Sequence, residues 1–162
     1  MGVLIKKESS CLFIRVPDYK NYNSIEEHIK CINKYGYVWL IKLGRKPNYT
    51  FMNQFMKDGG NLILKTTPKN GNKYYWFKVD SKVPDSNFIV PKYYDELFEN
   101  EGYDIELLKT THLCLKATQY KELTKEEVDF FETISKKKPL STSILNSRAP
   151  QVYGKSIKEI EL

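Results

Sequence analysis

The chain has 162 residues, 41% of them hydrophobic and 28% charged, which suffices for one domain with its own core and excludes a disordered chain. Its formal charge of +6 is unevenly placed: residues 1–100 carry 16 Lys/Arg against 10 Asp/Glu, and residues 101–162 carry 10 of each. The excess favours a polyanion such as nucleic acid, while the absence of a signal segment or a membrane-length apolar run points to a cytoplasmic protein with no membrane partner. Cys11, Cys31 and Cys114 form no C-x-x-C pair and only His28 and His112 could join them, so reduced thiols are expected and no metal or cofactor.

In chain order, residues 11–16 form a β-prone run ended by Pro17. Ser24-Ile-Glu-Glu27 has the pattern of a capping box. It predicts a helix with Ile25, Ile29 and Ile32 on one stripe and a stop at Gly36. Tyr37 to Leu43 reads as a strand apolar on both faces, hence central. A basic turn with Arg45 and Lys46 follows, then an amphipathic helix over 49–58 with Phe51, Phe55 and Met56 inward, stopped by Gly59-Gly60. Asn61–Thr66 and Lys73–Val79 read as a hairpin about an Asn-Gly turn. Two short β-prone runs are expected around Leu107 and over His112–Leu115. Thr124-Lys-Glu-Glu127 predicts a capped helix burying Val128, Phe131 and Ile134, and 148–153 a closing strand. Residues 154–162 read as a helix start cut short, or a linker. The mixed order predicts an α+β fold with a curved sheet or small barrel.

No role-complete catalytic set is visible, and the reading is a non-enzymatic domain. His28 lies in a charged helical stretch and is expected on a solvated face; His112 is expected half-buried. The acidic residues cluster as helix caps, and no phosphate-cradling glycine loop exists. The aromatic residues suggest a binding surface instead. Alternation over 73–79 puts Tyr75, Phe77 and Val79 on one face and Tyr74, Trp76 and Lys78 on the other. A face that mixes aromatics with a cation is unlike a core, so Trp76 is expected to be exposed or to line a pocket. Lys42, Arg45, Lys46 and Lys73 are the candidate phosphate contacts. The Tyr-rich composition also suits a protein-interaction module, regulatory or anti-defence, which is the alternative.

Several strings resemble the EVE-like domains of the PUA-like superfamily, relatives of the YTH readers. Trp39-Leu-Ile-Lys42 is similar to an early aromatic-Trp-Leu-x-Lys strand, with Pro47 near the proline that follows it. Gly59-Gly60-Asn-Leu-Ile-Leu64, Val90-Pro-Lys-Tyr-Tyr94 and Ser147-Arg-Ala-Pro-Gln-Val152 resemble later segments. Lys65-Thr-Thr67 stands where many such domains carry His-Ser-Asn. The resemblance spans residues 36–153 and implies a PUA-like twisted β-barrel with flanking helices, with the domain as a whole read over residues 1–153. It also implies a pocket for an extruded, methylated base, in DNA ahead of RNA, in a restriction or defence setting with other modules of a larger protein. It assigns Trp39, Ser147 and Arg148 to that pocket. Tyr37, Trp76 and Tyr94 join them by pattern, with Trp39 equally open to a core role.

Overall fold

The computed structural model describes residues 2–16, 22–42, 47–66, 73–98, 108, 113–141 and 151–162. Its elements are β1 (Leu4–Ile5), β2 (Ser10–Arg15), α1 (Ser24–Tyr35), β3 (Val38–Lys42), α2 (Tyr49–Lys57), β4 (Asn61–Thr66), β5 (Lys73–Ser81), α3 (Tyr93–Phe98), β6 (Leu113–Leu123), α4 (Lys125–Val128), β7 (Phe131–Thr133), β8 (Gln151–Ser156) and β9 (Ile160–Glu161). Seven strands form one mixed sheet in the order β3-β6-β5-β4-β2-β8-β7, with β2 and β4 the parallel pair. β1 and β9 form a separate antiparallel pair. The α+β class is as expected. The sheet, however, is open between β3 and β7 rather than closed as a barrel.

Local chemistry sets the helix ends. Asn23, not Ser24, caps α1: its side chain accepts from the Glu26 N–H at 3.1 Å, and Glu26 and Glu27 in the first turn suit the helix dipole. Gly36 ends the helix as expected, with φ 85° and its N–H on Ile32 O at 2.8 Å. Asn48 caps α2 by accepting from Phe51 N at 3.0 Å. The α2–β4 turn needs Gly60 twice over: its φ is 69°, and a Cβ there would collide with the Val79 carbonyl oxygen.

Both faces of the sheet are buried. One packs under α1 and α2, with Leu12, Leu62, Leu64, Tyr75, Phe77 and Leu115 against Ile25, Met52 and Phe55. The other carries Phe13, Ile63, Tyr74 and Trp76 and is covered by Ile5, Val128, Phe131, Leu140 and Ile160. Burying side chains of this size is worth about 1.5–3 kcal/mol each, so each layer is a core in its own right.

Four local expectations are corrected. The capping box of Thr124 and Glu127 forms, but the helix it opens is the single turn α4. Phe131 then enters β7, and Ile134 is exposed rather than inward. Residues 154–162 are neither helix nor linker, since β8 continues to Ser156 and β9 pairs with β1. Finally β3 is an edge strand, not a central one. Its two-faced burial persists because the chain at 87–94 wraps that edge: Trp39 N donates to Ile89 O at 2.8 Å and Ile41 N to the Tyr94 hydroxyl at 3.4 Å. Covering an edge in this way removes a template for strand addition.

Candidate nucleic-acid interface

The predicted base-pocket residues divide between two places. Tyr37, Trp39 and Tyr94 come together at the β3 edge, in a cluster with Ile41, Phe88, Tyr93 and Cys114. Trp39 is fully buried, its ring stacked on Phe88 at 5.4 Å between centres and its Nε1 donating to Asn87 O at 3.2 Å. Trp76 lies in the other layer and is 2% exposed, with Nε1 donating to Asn61 Oδ1 at 3.1 Å. The expectation of an exposed Trp76 is therefore overturned. The cation that suggested it, Lys78, sits further along the strand, half-buried, bonded to Gly59 O at 3.1 Å and paired with Asp80 at 3.3 Å. Ser147 and Arg148 lie outside the described residues.

His28 is also corrected: it is buried, not solvated. Nδ1 lies 2.6 Å from Ser24 O and Nε2 2.7 Å from the Tyr94 hydroxyl. A carbonyl can only accept, so Nδ1 carries the proton and Nε2 accepts from Tyr94. Tyr94 in turn accepts from Ile41 N, which completes a chain of bonds from α1 through α3 to the β3 edge. Burial pushes the His28 pKa down to about 4, against an upward pull from the Ser24 carbonyl. The imidazole thus stays neutral and serves as a strut.

The predicted phosphate contacts separate as well. Lys73 is exposed at the start of β5, opposite Thr66. Lys42 is buried, paired with Leu113 at the far end of β6 from Leu123, which pairs with Tyr74. Burial lowers the Lys42 pKa. Arg45 and Lys46 lie outside the described residues.

One arrangement was not anticipated. Arg15 ends β2 and Lys65 stands one residue from the end of β4; the two are paired across the parallel ladder, and Lys65 is paired with Tyr74 of β5. All three share the sheet face that carries Phe13, Ile63 and Trp76. Lys65 is 5% exposed and Arg15 is exposed. Burial first, then the Arg15 charge, lowers the Lys65 pKa, so the two cations feel each other. Like charges directly opposite on neighbouring strands are destabilising, and among the described residues Arg15 forms no ion pair. The signal was present in the sequence: Cys11-Leu-Phe-Ile-Arg15 and Asn61-Leu-Ile-Leu-Lys65 each end an apolar run in a cation at the same offset. Parallel, in-register pairing brings those cations side by side.

Among the described residues no cluster of three or more His, Cys, Asp or Glu could hold a metal ion, and no helix is long and apolar enough to cross a membrane. No protein-family model, curated protein or solved structure matches the chain.

Proposed function

We propose that this chain is a nucleic-acid-binding domain that holds its ligand at the cationic end of the seven-stranded sheet. The observation that carries the reading is that two exposed cations, Arg15 at the end of β2 and Lys73 at the start of β5, lie at the same end of the sheet. Exposed cations gathered at one end of a sheet attract an anion, and phosphates supply the bulk of protein–nucleic acid affinity. The basic excess of residues 1–100 supports the same reading.

The narrower reading is an EVE-like domain of PUA-like fold that takes an extruded, methylated base. It rests on the sequence resemblance, and it needs an aromatic face open to the base. Trp39 is its best candidate, and there Phe88 occupies the stacking position. A base would have to displace Phe88 to stack in its place.

Fluorescence anisotropy with short oligonucleotides, single- and double-stranded, methylated and plain, tests both levels. The expected result is binding that weakens steeply with salt, and a log–log salt slope that falls by about one in Arg15→Ala. Absence of binding, or binding indifferent to salt, would overturn the nucleic-acid reading. Equal affinity for methylated and plain strands would remove only the base-reading part.

A further inference from the structure

We propose that the turn Lys136-Lys137-Lys138 is a second anchor for the nucleic acid, whose backbone then lies across the strand ends from Lys73, past Arg15, to this turn. The inference deepens the function proposed above and rests on it.

Register places the turn. β7 and β2 both run antiparallel to β8 and are therefore parallel to each other. Thr133, the last residue of β7, stands opposite Gly154, which stands opposite Cys11. The Ile134 N–H donates to the Tyr153 carbonyl at 3.1 Å, one row further towards Arg15. The chain thus leaves β7 towards the end of the sheet where β2 stops at Arg15 and β5 starts at Lys73. Between β5 and β7 the strand order is β5-β4-β2-β8-β7. Four spacings of about 4.8 Å make this line roughly 19 Å long, with Arg15 at its middle.

The cations on the line are open to solvent. Arg15, Lys73, Lys136, Lys137 and Lys138 are all exposed, and among the described residues none of them forms an ion pair. The acidic residue of β7, Glu132, precedes the turn and stands opposite Lys155.

The turn is not one that stability would choose. Lys137 has a φ of 52°, in the left-handed region that Gly and Asn enter most readily. Thr133 holds the loop together. Its N–H donates to Lys138 O at 2.8 Å, its Oγ1 accepts from Lys138 N at 3.1 Å and its carbonyl accepts from Lys137 N at 3.0 Å. All three bonds use backbone atoms of the lysines, so none of them needs a lysine side chain. The fold instead gathers three consecutive ammonium groups that repel one another. Ile134, 45% exposed at the start of the turn, adds an apolar contact for a sugar or base.

The spread of the cations selects the ligand. A compact anion cannot reach charges distributed over this length, whereas a chain of phosphates can. A stacked strand carries one phosphate per about 3.4 Å, so the line matches roughly six of them. Cations strung along a path are also what a groove tracking a single backbone requires.

The experiment measures anisotropy with oligothymidylates of three, six and twelve nucleotides over a range of salt. It compares the wild type, Lys137→Asn and a triple variant with Lys136→Ala, Lys137→Ala and Lys138→Ala. The six-nucleotide strand should bind far more tightly than the three-nucleotide one, and the twelve-nucleotide strand little better than six. The triple variant should lower the log–log salt slope by about two, at about 0.7 per phosphate contact. Lys137→Asn should weaken binding while the thermal midpoint stays level or rises, because Asn suits the backbone there. That opposite movement of binding and stability would not come from a lysine with a structural role. A triple variant with the wild-type slope, while Arg15→Ala still lowers it, overturns the anchor and leaves the nucleic-acid reading standing. Failure of the wild type to bind any strand overturns both, and capture by phosphatidylserine vesicles in its place would assign the turn to a membrane surface.

Discussion

At the edge of β3 the outward backbone donors are met by neutral groups: the Ile89 carbonyl, the Tyr94 hydroxyl, and behind them an imidazole kept uncharged by burial. At the ends of β2 and β4 the chain places two cations side by side and leaves one of them in solvent. The first region is rich in rings and uses them to close the fold. The second has one ring and two charges, of which Arg15 stays exposed at the end of its strand. In this protein aromatic density marks structure, and it is the exposed cations, Arg15 and Lys73, that point to a ligand.

That contrast can be broken by mutation. Trp39→Ala should cost about 3–5 kcal/mol, the range for emptying a large aromatic site in a packed core. Urea unfolding monitored by circular dichroism measures it, and a loss below about 1 kcal/mol would mean that Trp39 is not the keystone of the edge. Acid provides the next largest effect. His28 has a folded pKa of about 4 against an ordinary value of 6.5, so below pH 6.5 the unfolded chain takes up the proton that the folded chain refuses. Stability should therefore fall as pH drops from 6.5 to 4, by about 3 kcal/mol from this group alone. Comparing unfolding at the two pH values in the wild type and in His28→Gln isolates the contribution; an unchanged pH response in the variant would remove His28 from the account. The smallest effect on stability belongs to Arg15→Ala, which should move the unfolding free energy by no more than about 0.5 kcal/mol. A larger destabilisation would assign Arg15 a structural role and blur the contrast between the two regions.

Much of the fold was legible in the sequence where local chemistry decides the outcome. Gly36 ends α1, the β4–β5 hairpin forms, and Thr124 and Glu127 make their capping box. The failures share a cause: each depended on what comes from elsewhere to cover a residue. His28 reads as solvated on a charged helix until Tyr94, 66 residues away in sequence, is brought against it. Trp76 reads as a working surface because its cover is drawn from segments far from it in sequence, Ile5, Val128, Phe131, Leu140 and Ile160. β3 reads as central because a wrapped edge and a paired edge bury a strand equally well. The capping box forms but cannot set helix length, because Phe131 finds a partner strand one turn later. Of the candidate site, Lys73 alone stood among the expected phosphate contacts. Arg15 and Lys65 become neighbours only through a parallel pairing that no local pattern specifies.

The β1–β9 pair has a mechanical consequence. Val3 N donates to Leu162 O at 2.8 Å and Leu162 N to Val3 O at 2.9 Å, so residues 3 and 162 face each other at one end of the antiparallel ladder that continues through Leu4–Glu161 and Ile5–Ile160. Tension applied at those two residues loads the rungs one after another, as a zip, rather than shearing them together. Opening that zip draws Ile5 and Ile160 out of the layer that covers Trp76.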